Sequence, residues 1–583
     1  MRLHLTVPVR AARAWVGMPN RWDLVAIPLV LGLLFVISWG TRQVTVPYYA
    51  GEVLPLSLNP AYLPEYALRT TLRMVAAMLF SLLFTFTYAT YAAKSRRAEA
   101  LLIPVLDVLQ SVPILGFLSI TVTGFIDLFH GSMLGPEAAA VFAIFTSQAW
   151  NMAFSFYHSL KMIPKDLYQA AHVFQLSPWQ RFWKLEVPFA LPALVWNSMM
   201  SASGGWFFVV ASEAISVAGH HILLPGIGSY IAVAIRQQDL TAIGYAIGTM
   251  FVVITLYDQL VFRPLVAWSE RFRVETVATD AAPGSWVLTL LRRARLIHWL
   301  MQVPEALWEA SQRFVGSRRP TLPLGLIGHL FHREERLLAR LWRYLTIVSV
   351  TAATVLFARY VLAEVGYLEI AYVLLLGLIT ATRVVVLVAL AALIWVPVGV
   401  WVGQRPRVAQ AVQPLAQFLA AFPANLLFPL AVVGIVRYHL NVEIWLSPLM
   451  ILGTQWYILF NVIAGASVLP GDLREVALNL GLSRWQRWRR LILPGIFPAC
   501  VTGGLTAFGG AWNASVVAEV VNWGHTQLTA TGLGAYIAQQ TVAGDYPRIA
   551  LGIVVMSLYV LVFNRLFWQR LYHYAEERFN LLG

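Results

Sequence analysis

The chain has 583 residues, 59% of them hydrophobic and only 12% charged. A soluble domain carries about a quarter charged residues, so half of that solvating charge is missing. One cysteine (Cys500) excludes a disulfide scaffold, and the apolar content excludes a disordered or collagen-like chain. The net charge of +14 lies in short clusters between apolar runs, the pattern of cytoplasmic loops facing anionic lipid, and no nucleic-acid partner is expected.

The chain therefore reads as an all-α polytopic membrane protein. Apolar runs long enough to cross a bilayer, about 20 residues each, are expected in the first half at 24–40, 66–92, 101–127, 137–160, 191–215 and 241–262. In the second half they are expected at 344–362, 371–402, 408–436, 443–466, 495–521 and 547–566. This gives about twelve spans, six in each half. Arginines precede the first run and no small-residue cleavage site follows it, so it reads as an uncleaved span. Basic clusters fall at Lys94–Arg97, Lys161–Lys184 and Arg263–Arg273, then at Arg405–Arg407, Arg474–Arg490 and Arg565–Arg578. With the N-terminus inside, all of them face the cytoplasm. Residues 265–343 differ, since arginine clusters such as Arg292-Arg293 and Ser317-Arg318-Arg319 alternate with Trp286, Trp299 and Trp308. They read as a linker of amphipathic helices at the inner interface, with a regulatory or docking segment as the alternative.

The chain repeats itself. At a constant offset of 306, Ala171, Leu176, Ser177, Trp179, Gln180, Arg181, Pro188, Trp206, Glu213, Gly226 and Gly228 recur as Ala477, Leu482, Ser483, Trp485, Gln486, Arg487, Pro494, Trp512, Glu519, Gly532 and Gly534. Upstream, Arg73 and Pro113 recur as Arg383 and Pro423 at an offset of 310, so four extra residues lie between the blocks in the first copy. An even number of spans per copy makes these parallel repeats about an axis along the membrane normal, with room for a solute cavity between them.

The repeated cytoplasmic block is a short helix, a break, and a second amphipathic helix that proline is expected to end. Its second copy reads Glu475-Val476-Ala477, Gly481, then Leu493-Pro494; its first reads Gln169-Ala170-Ala171, Gln175, then Val187-Pro188. Small residues on the first helix would let another protein approach its backbone, and Gly481 ends that helix in the left-handed region without steric cost. This pattern resembles the coupling loop of type I ABC importer permeases, nearest to the nitrate, sulfonate, taurine and bicarbonate branch, with two permease domains fused in one chain.

The resemblance implies permease cores at 66–264 and 375–567. Residues 1–65 would be an N-terminal segment with the first span, 344–374 the first span of the second half, and 568–583 a cytoplasmic tail. It also implies a multi-pass protein of the bacterial inner membrane, two ATPase subunits docked on the loops, and a solute-binding protein outside. ATP and magnesium would be held by those ATPases and not by this chain. Gln169 and Gln175 depart from the pattern, which predicts unequal docking of the two loops.

Polar candidates for a translocation pathway are Asn151, Trp206 and Glu213 in the first half, with Asn461, Trp512, Asn513 and Glu519 in the second. An acid at a helix centre costs about 2.5–3.5 kcal/mol, so Glu213 and Glu519 should face water or protein, either lining a path or pairing with a backbone or an arginine. The tryptophans could equally be packing residues, and Arg73 and Arg383 could be anchors at span starts. Asp107 and Asp127 are further polar positions. The histidines show no ligand spacing, so no metal site is expected. The chain's four lysines (Lys94, Lys161, Lys165, Lys184) follow no GxxxxG, so no nucleotide loop and no catalysis are expected within it. A secondary transporter with two parallel repeats, or a membrane scaffold, remains the alternative class.

Overall fold

A computed structural model describes residues 56–217, 220–272, 284–294, 354–467, 469 and 471–579, with scattered positions in 22–40 and 344–352. The expected span at 24–40 and most of the 265–343 linker lie outside the described residues. Of the expected span at 344–362, residues 354–362 are described and helical.

The first half runs α1 (Pro60–Lys94), α2 (Arg96–Ser111), α3 (Ile114–Leu128), α4 (Leu134–Lys161), α5 (Lys165–Val173), α6 (Val187–Glu213), a hairpin of β1 (Ala214–Val217) and β2 (His220–Leu223), α7 (Ile227–Gln237) and α8 (Leu240–Phe272). The linker contributes α9 (Trp286–Arg293). The second half repeats the order with α10 (Tyr367–Gly403), α11 (Pro406–Ala421), α12 (Phe428–Arg437), α13 (Gln455–Ser467), α14 (Gly471–Asn479), α15 (Arg484–Ala518), β3 (Val520–Trp523), β4 (Thr526–Thr529), α16 (Leu533–Ala543) and α17 (Tyr546–Ala575). The architecture is helical, with the two short antiparallel hairpins as an addition the sequence reading lacked.

Among the described residues, five uninterrupted helices are long and apolar enough to cross a bilayer: α1, α8, α10, α15 and α17. Three more expected spans are broken. The run expected at 101–127 is α2 and α3, bent by 89°, and the run at 408–436 is α11 and α12, bent by 79°. The cause is local. Val112 and Phe422 each precede a proline, Pro113 or Pro423, and both are extended, at ψ near 126°. A proline ring excludes the helical region for the residue before it, so the helix must stop there. The run at 443–466 also splits, into 442–450 and α13, with a 43° bend.

The broken pairs tie the halves together. Ile114, Leu115, Leu118 and Val122 of α3 are buried in the core of the second half. Ala421 and Leu426, at the α11–α12 bend, are buried in the core of the first half. Each half thus completes the other's core, and burial of apolar side chains on both sides of the axis holds the pair together. In the backbone break itself, Asn513 of α15 accepts a hydrogen bond from the Ile114 N–H at 2.8 Å. Reciprocally, the Asn425 side chain donates to the Phe207 carbonyl of α6 at 3.3 Å.

Candidate functional site

Two repeated sites stand out, one at each end of the repeat. The first is the basic loop that the sequence repeats. In both copies the short helix, α5 or α14, closes with the same hydrogen bonds: Leu176 N–H to Ala171 O at 3.0 Å and Gln175 N–H to His172 O at 2.9 Å, against Leu482 N–H to Ala477 O at 3.1 Å and Gly481 N–H to Leu478 O at 2.9 Å. This double closure requires a left-handed residue at the turn. Gly481 provides it with φ 63°, and Gln175 adopts it too, at φ 53°. The turn is therefore conserved in geometry although its residue differs, and Gln175 bears the strain, on the order of 1 kcal/mol. Ser177 and Ser483 then cap the following helical turn, each reciprocated by a glutamine three residues on, Gln180 or Gln486.

Pro188 and Pro494 do not end a helix, contrary to the sequence expectation. Each lies just after a widened π turn, Phe182–Glu186 or Trp488–Ile492, that runs straight into α6 or continues α15. The wide turn shifts the backbone pairing where the proline lacks an N–H to give, so the helix continues through it. Ala171 and Ala477 are also not offered to a partner: both are buried, at 5% and 4% exposure. What the loops do present is apolar. Val173 and Phe174 are 79% and 76% exposed in the first, and Leu478, Leu480 and Trp485 are 60–70% exposed in the second. Gln169, Ala170, Glu475 and Val476 share these exposed surfaces. Behind the first loop, the buried Glu186 pairs with Lys94 at 2.7 Å and Arg181 at 3.3 Å. Burial and that carboxylate push the Tyr168 hydroxyl upward from its ordinary pKa. The second half has Ile492 in place of Glu186.

The second repeated site is a buried ion cluster where α6 and α15 end. Glu213 is fully buried and accepts hydrogen bonds from Thr70 at 2.7 Å, Arg73 at 2.6 Å and the Gly228 N–H at 2.7 Å. Arg73 also forks onto both oxygens of Glu137 at 2.6 Å. In the second half, Glu519 accepts from Thr380 at 2.8 Å, the Ala535 N–H at 2.9 Å and Arg383 at 3.4 Å, and Arg383 also pairs with Glu443. Arg73 and Arg383 are thus partners of buried carboxylates well inside α1 and α10, not anchors at span starts. The glycines of the repeated Gly-Leu-Gly or Gly-Ile-Gly stretch acquire a reason here. A Cβ on Gly226 would stand 2.3 Å from the Glu213 carboxyl carbon, and one on Gly532 would stand 2.2 Å from a Glu519 oxygen. Thr70, Thr380, Glu137 and Glu443 were not among the residues singled out from sequence, although all four recur at the repeat offsets.

The remaining pathway candidates are not gathered in one place. Asn151 donates to Ser201 at 3.0 Å within the first half, and Asn461 donates to the Tyr457 carbonyl of its own helix at 2.7 Å. Asn513 bridges the halves as described. Trp206 and Trp512 are each 1% exposed; the first meets Tyr257 edge-on at 5.3 Å, and the second stacks on Tyr559 at 6.1 Å. Among the described residues no cluster of histidine, cysteine or acidic side chains could hold a metal.

A sequence model of the family described as "binding-protein-dependent transport system inner membrane component" matches residues 85–267 and again residues 395–578. The chain belongs to this family. It is a permease of the ABC importer type with two permease domains fused in tandem, and both matches contain one of the repeated loops and one of the buried glutamates. The permease is 28% identical over 184 residues to the nitrate import permease protein NrtB of Leptolyngbya laminosa, covering 32% of this chain and 62% of that protein. It is 30% identical over 189 residues to the bicarbonate transport system permease protein CmpB of Synechococcus elongatus, covering 32% of this chain and 63% of the relative. A glycine betaine/carnitine transport permease protein, GbuB of Listeria monocytogenes, is 25% identical over 189 residues, with 32% of this chain and 61% of its own length covered. The permease thus spans under two thirds of the length of these relatives.

Proposed function

We propose that this permease is the membrane subunit of an ATP-driven importer that moves a small anionic solute, of the nitrate, sulfonate or bicarbonate kind, between its two halves. The observation that carries the reading is the loop geometry, which occurs twice with the same turn and the same cap and offers an exposed apolar knob each time, Phe174 or Leu480. Exposed apolar side chains at the tip of a short helix are what a groove on a partner protein would cover. The partners are two ATPase subunits, which hold ATP and magnesium, with a solute-binding protein on the opposite face. The π turns make each loop continuous with α6 or α15, so a push on the loop is delivered to a helix whose far end carries the buried glutamate. The interlocked broken helices would then let the halves rock against each other as bodies. The names of the nitrate and bicarbonate relatives support the solute class, since both ions are small oxyanions.

The test is co-purification of the tagged permease with an ATPase, followed by transport of nitrate, bicarbonate and taurine into vesicles with ATP enclosed. Phe174→Asp and Leu480→Asp should each release the ATPase. Solute uptake that persists without any ATPase would overturn the reading.

A further inference from the structure

A cavity of about 420 Å³ lies between α6, α8 and α11, on the cytoplasmic side of the α11 bend. Its lining is largely apolar and aromatic, with Met199, Trp206 and Phe418 and the more exposed Trp196, and its polar part is Gln259 with the Asp258–Arg263 ion pair beside Gly284 of the linker. The volume falls within the range of about 300–1,000 Å³ typical of ligand sites.

Three observations identify an occupant. The first is continuity with the lipid-facing surface. Phe251, Val252 and Leu256 of α8 are 53%, 53% and 51% exposed along the adjoining face, and the Phe251 ring meets Phe418 of the cavity wall at 4.8 Å. A hydrocarbon chain already at that surface needs only to turn inward.

The second is charge. Arg263 lines the cavity in an ion pair with Asp258 at 3.2 Å, and Arg271, Arg292 and Arg293 follow where α9 packs on the end of α8, with Arg292 close enough to Arg271 to repel it. The described carboxylates on these elements are Asp258 and Glu270, so cations outnumber anions two to one. Such a basic pocket between spans at the inner face suits a phosphate headgroup.

The third is the other half, which is built differently at the equivalent place. Trp568 stands for Phe262, with its ring lying against Gly504 where the first half has Ser198. Gln417 is replaced by Asp107, which lies within Coulombic reach of Arg565. That corner thus carries a carboxylate on its bent helix pair, whereas the first-half carboxylate, Asp258, lies on α8 and pairs with Arg263 at 3.2 Å.

We propose that the first-half cavity holds one acyl chain of an anionic phospholipid, with its phosphate on the arginines of α8 and α9. The lipid would fasten the linker helix to the first half only. The test uses the full-length permease, purified in mild detergent and exchanged into discs containing equal phosphatidylglycerol and phosphatidylcholine, with retained lipid read by native mass spectrometry. One phosphatidylglycerol per chain should survive release from the disc. Thr255→Trp, which fills the cavity from its lining, should lower that retention tenfold or more, and Leu561→Trp at the equivalent second-half position should not. Arg292→Gln, an exposed change that leaves the fold intact, should lower retention several-fold. Equal retention of phosphatidylcholine, or undiminished retention in both Thr255→Trp and Arg292→Gln, would overturn the proposal. So would displacement of the lipid by inorganic phosphate alone, because the acyl chain would then contribute nothing.

Discussion

The two ion clusters hold the same threonine, arginine and glutamate in the same roles, but one is sealed and the other is open. In the first half Arg73 is 4% exposed and its second partner, Glu137, is 12% exposed. In the second half Arg383 is 14% exposed and Glu443 is 45% exposed, and Arg383 turns one nitrogen to the Thr531 carbonyl at 2.7 Å. What stays constant between the halves is the glycine-lined cap on the deep glutamate, with its threonine and backbone N–H. That part is the device that lets a carboxylate end a buried helix. What varies is the outward-facing arm of the arginine, which water can screen.

This difference can be broken by experiment. The largest effect is expected from Arg73→Ala, which strands the fully buried Glu213 and should cost about 3–5 kcal/mol. Thermal unfolding of the purified permease would read this directly. Arg383→Ala should cost clearly less, since Glu443 can take up water and Glu519 keeps its threonine and backbone partners. Equal losses would show that exposure does not distinguish the clusters. Gly226→Ala and Gly532→Ala make the opposite test, because their contacts are alike. Each should destabilise by about 1–3 kcal/mol through overpacking, and by the same amount in the same unfolding assay.

The repeated loops sharpen the comparison at a smaller scale. Gly481→Val should cost on the order of 1 kcal/mol or more in closure of α14, and Gln175→Gly should return a similar amount to α5. Hydrogen exchange at the Leu482 and Leu176 amides measures both. Glu475→Arg is expected to slow transport-coupled ATP hydrolysis more than Gln169→Arg, because only the first reverses a charge. The smallest effect is expected from Glu186→Ile, which copies the second half into the first. Lys94 and Arg181 are 37% and 28% exposed and can turn to water, so stability should move by less than about 1 kcal/mol.

The repeat itself was legible in the sequence, because residues as distinctive as Ser177-Pro178-Trp179-Gln180-Arg181 and Ser483-Arg484-Trp485-Gln486-Arg487 do not align by chance. The offset of 306 carries unchanged from the loops through both hairpins to α7 and α16, and the four extra residues fall in the turn between α3 and α4. The ion clusters were half legible. Glu213 and Glu519 stood out as acids in apolar runs, but Glu137 and Glu443 sit near helix starts, where an acid is ordinary and draws no notice. Their convergence on Arg73 and Arg383 is tertiary, across 64 and 60 residues of chain. The breaks at Pro113 and Pro423 carried a readable signal in the proline itself. Apolar length masked it, because hydropathy counts residues and is blind to the angle between two halves of a run. The left-handed Gln175 was legible only through its alignment with Gly481, since glutamine itself gives no hint of positive φ.

The hairpins carry one more consequence. The Gly524 N–H of the second hairpin donates to the Ile235 carbonyl of α7 at 3.0 Å, with the Gln238 side chain pressed so close that a Cβ on Gly524 would meet its amide at 2.1 Å. The counterpart of Gln238, directly after α16, is Gly544. In an assembly of two identical chains, every substitution is made on both sides of the axis, so a bulky residue and the glycine that receives it cannot be assigned to separate copies. Joining the halves in one polypeptide lifts that constraint. Each face of the contact can mutate alone, and Gln238 against Gly524 is a knob and a hollow that two identical chains could not distribute unequally.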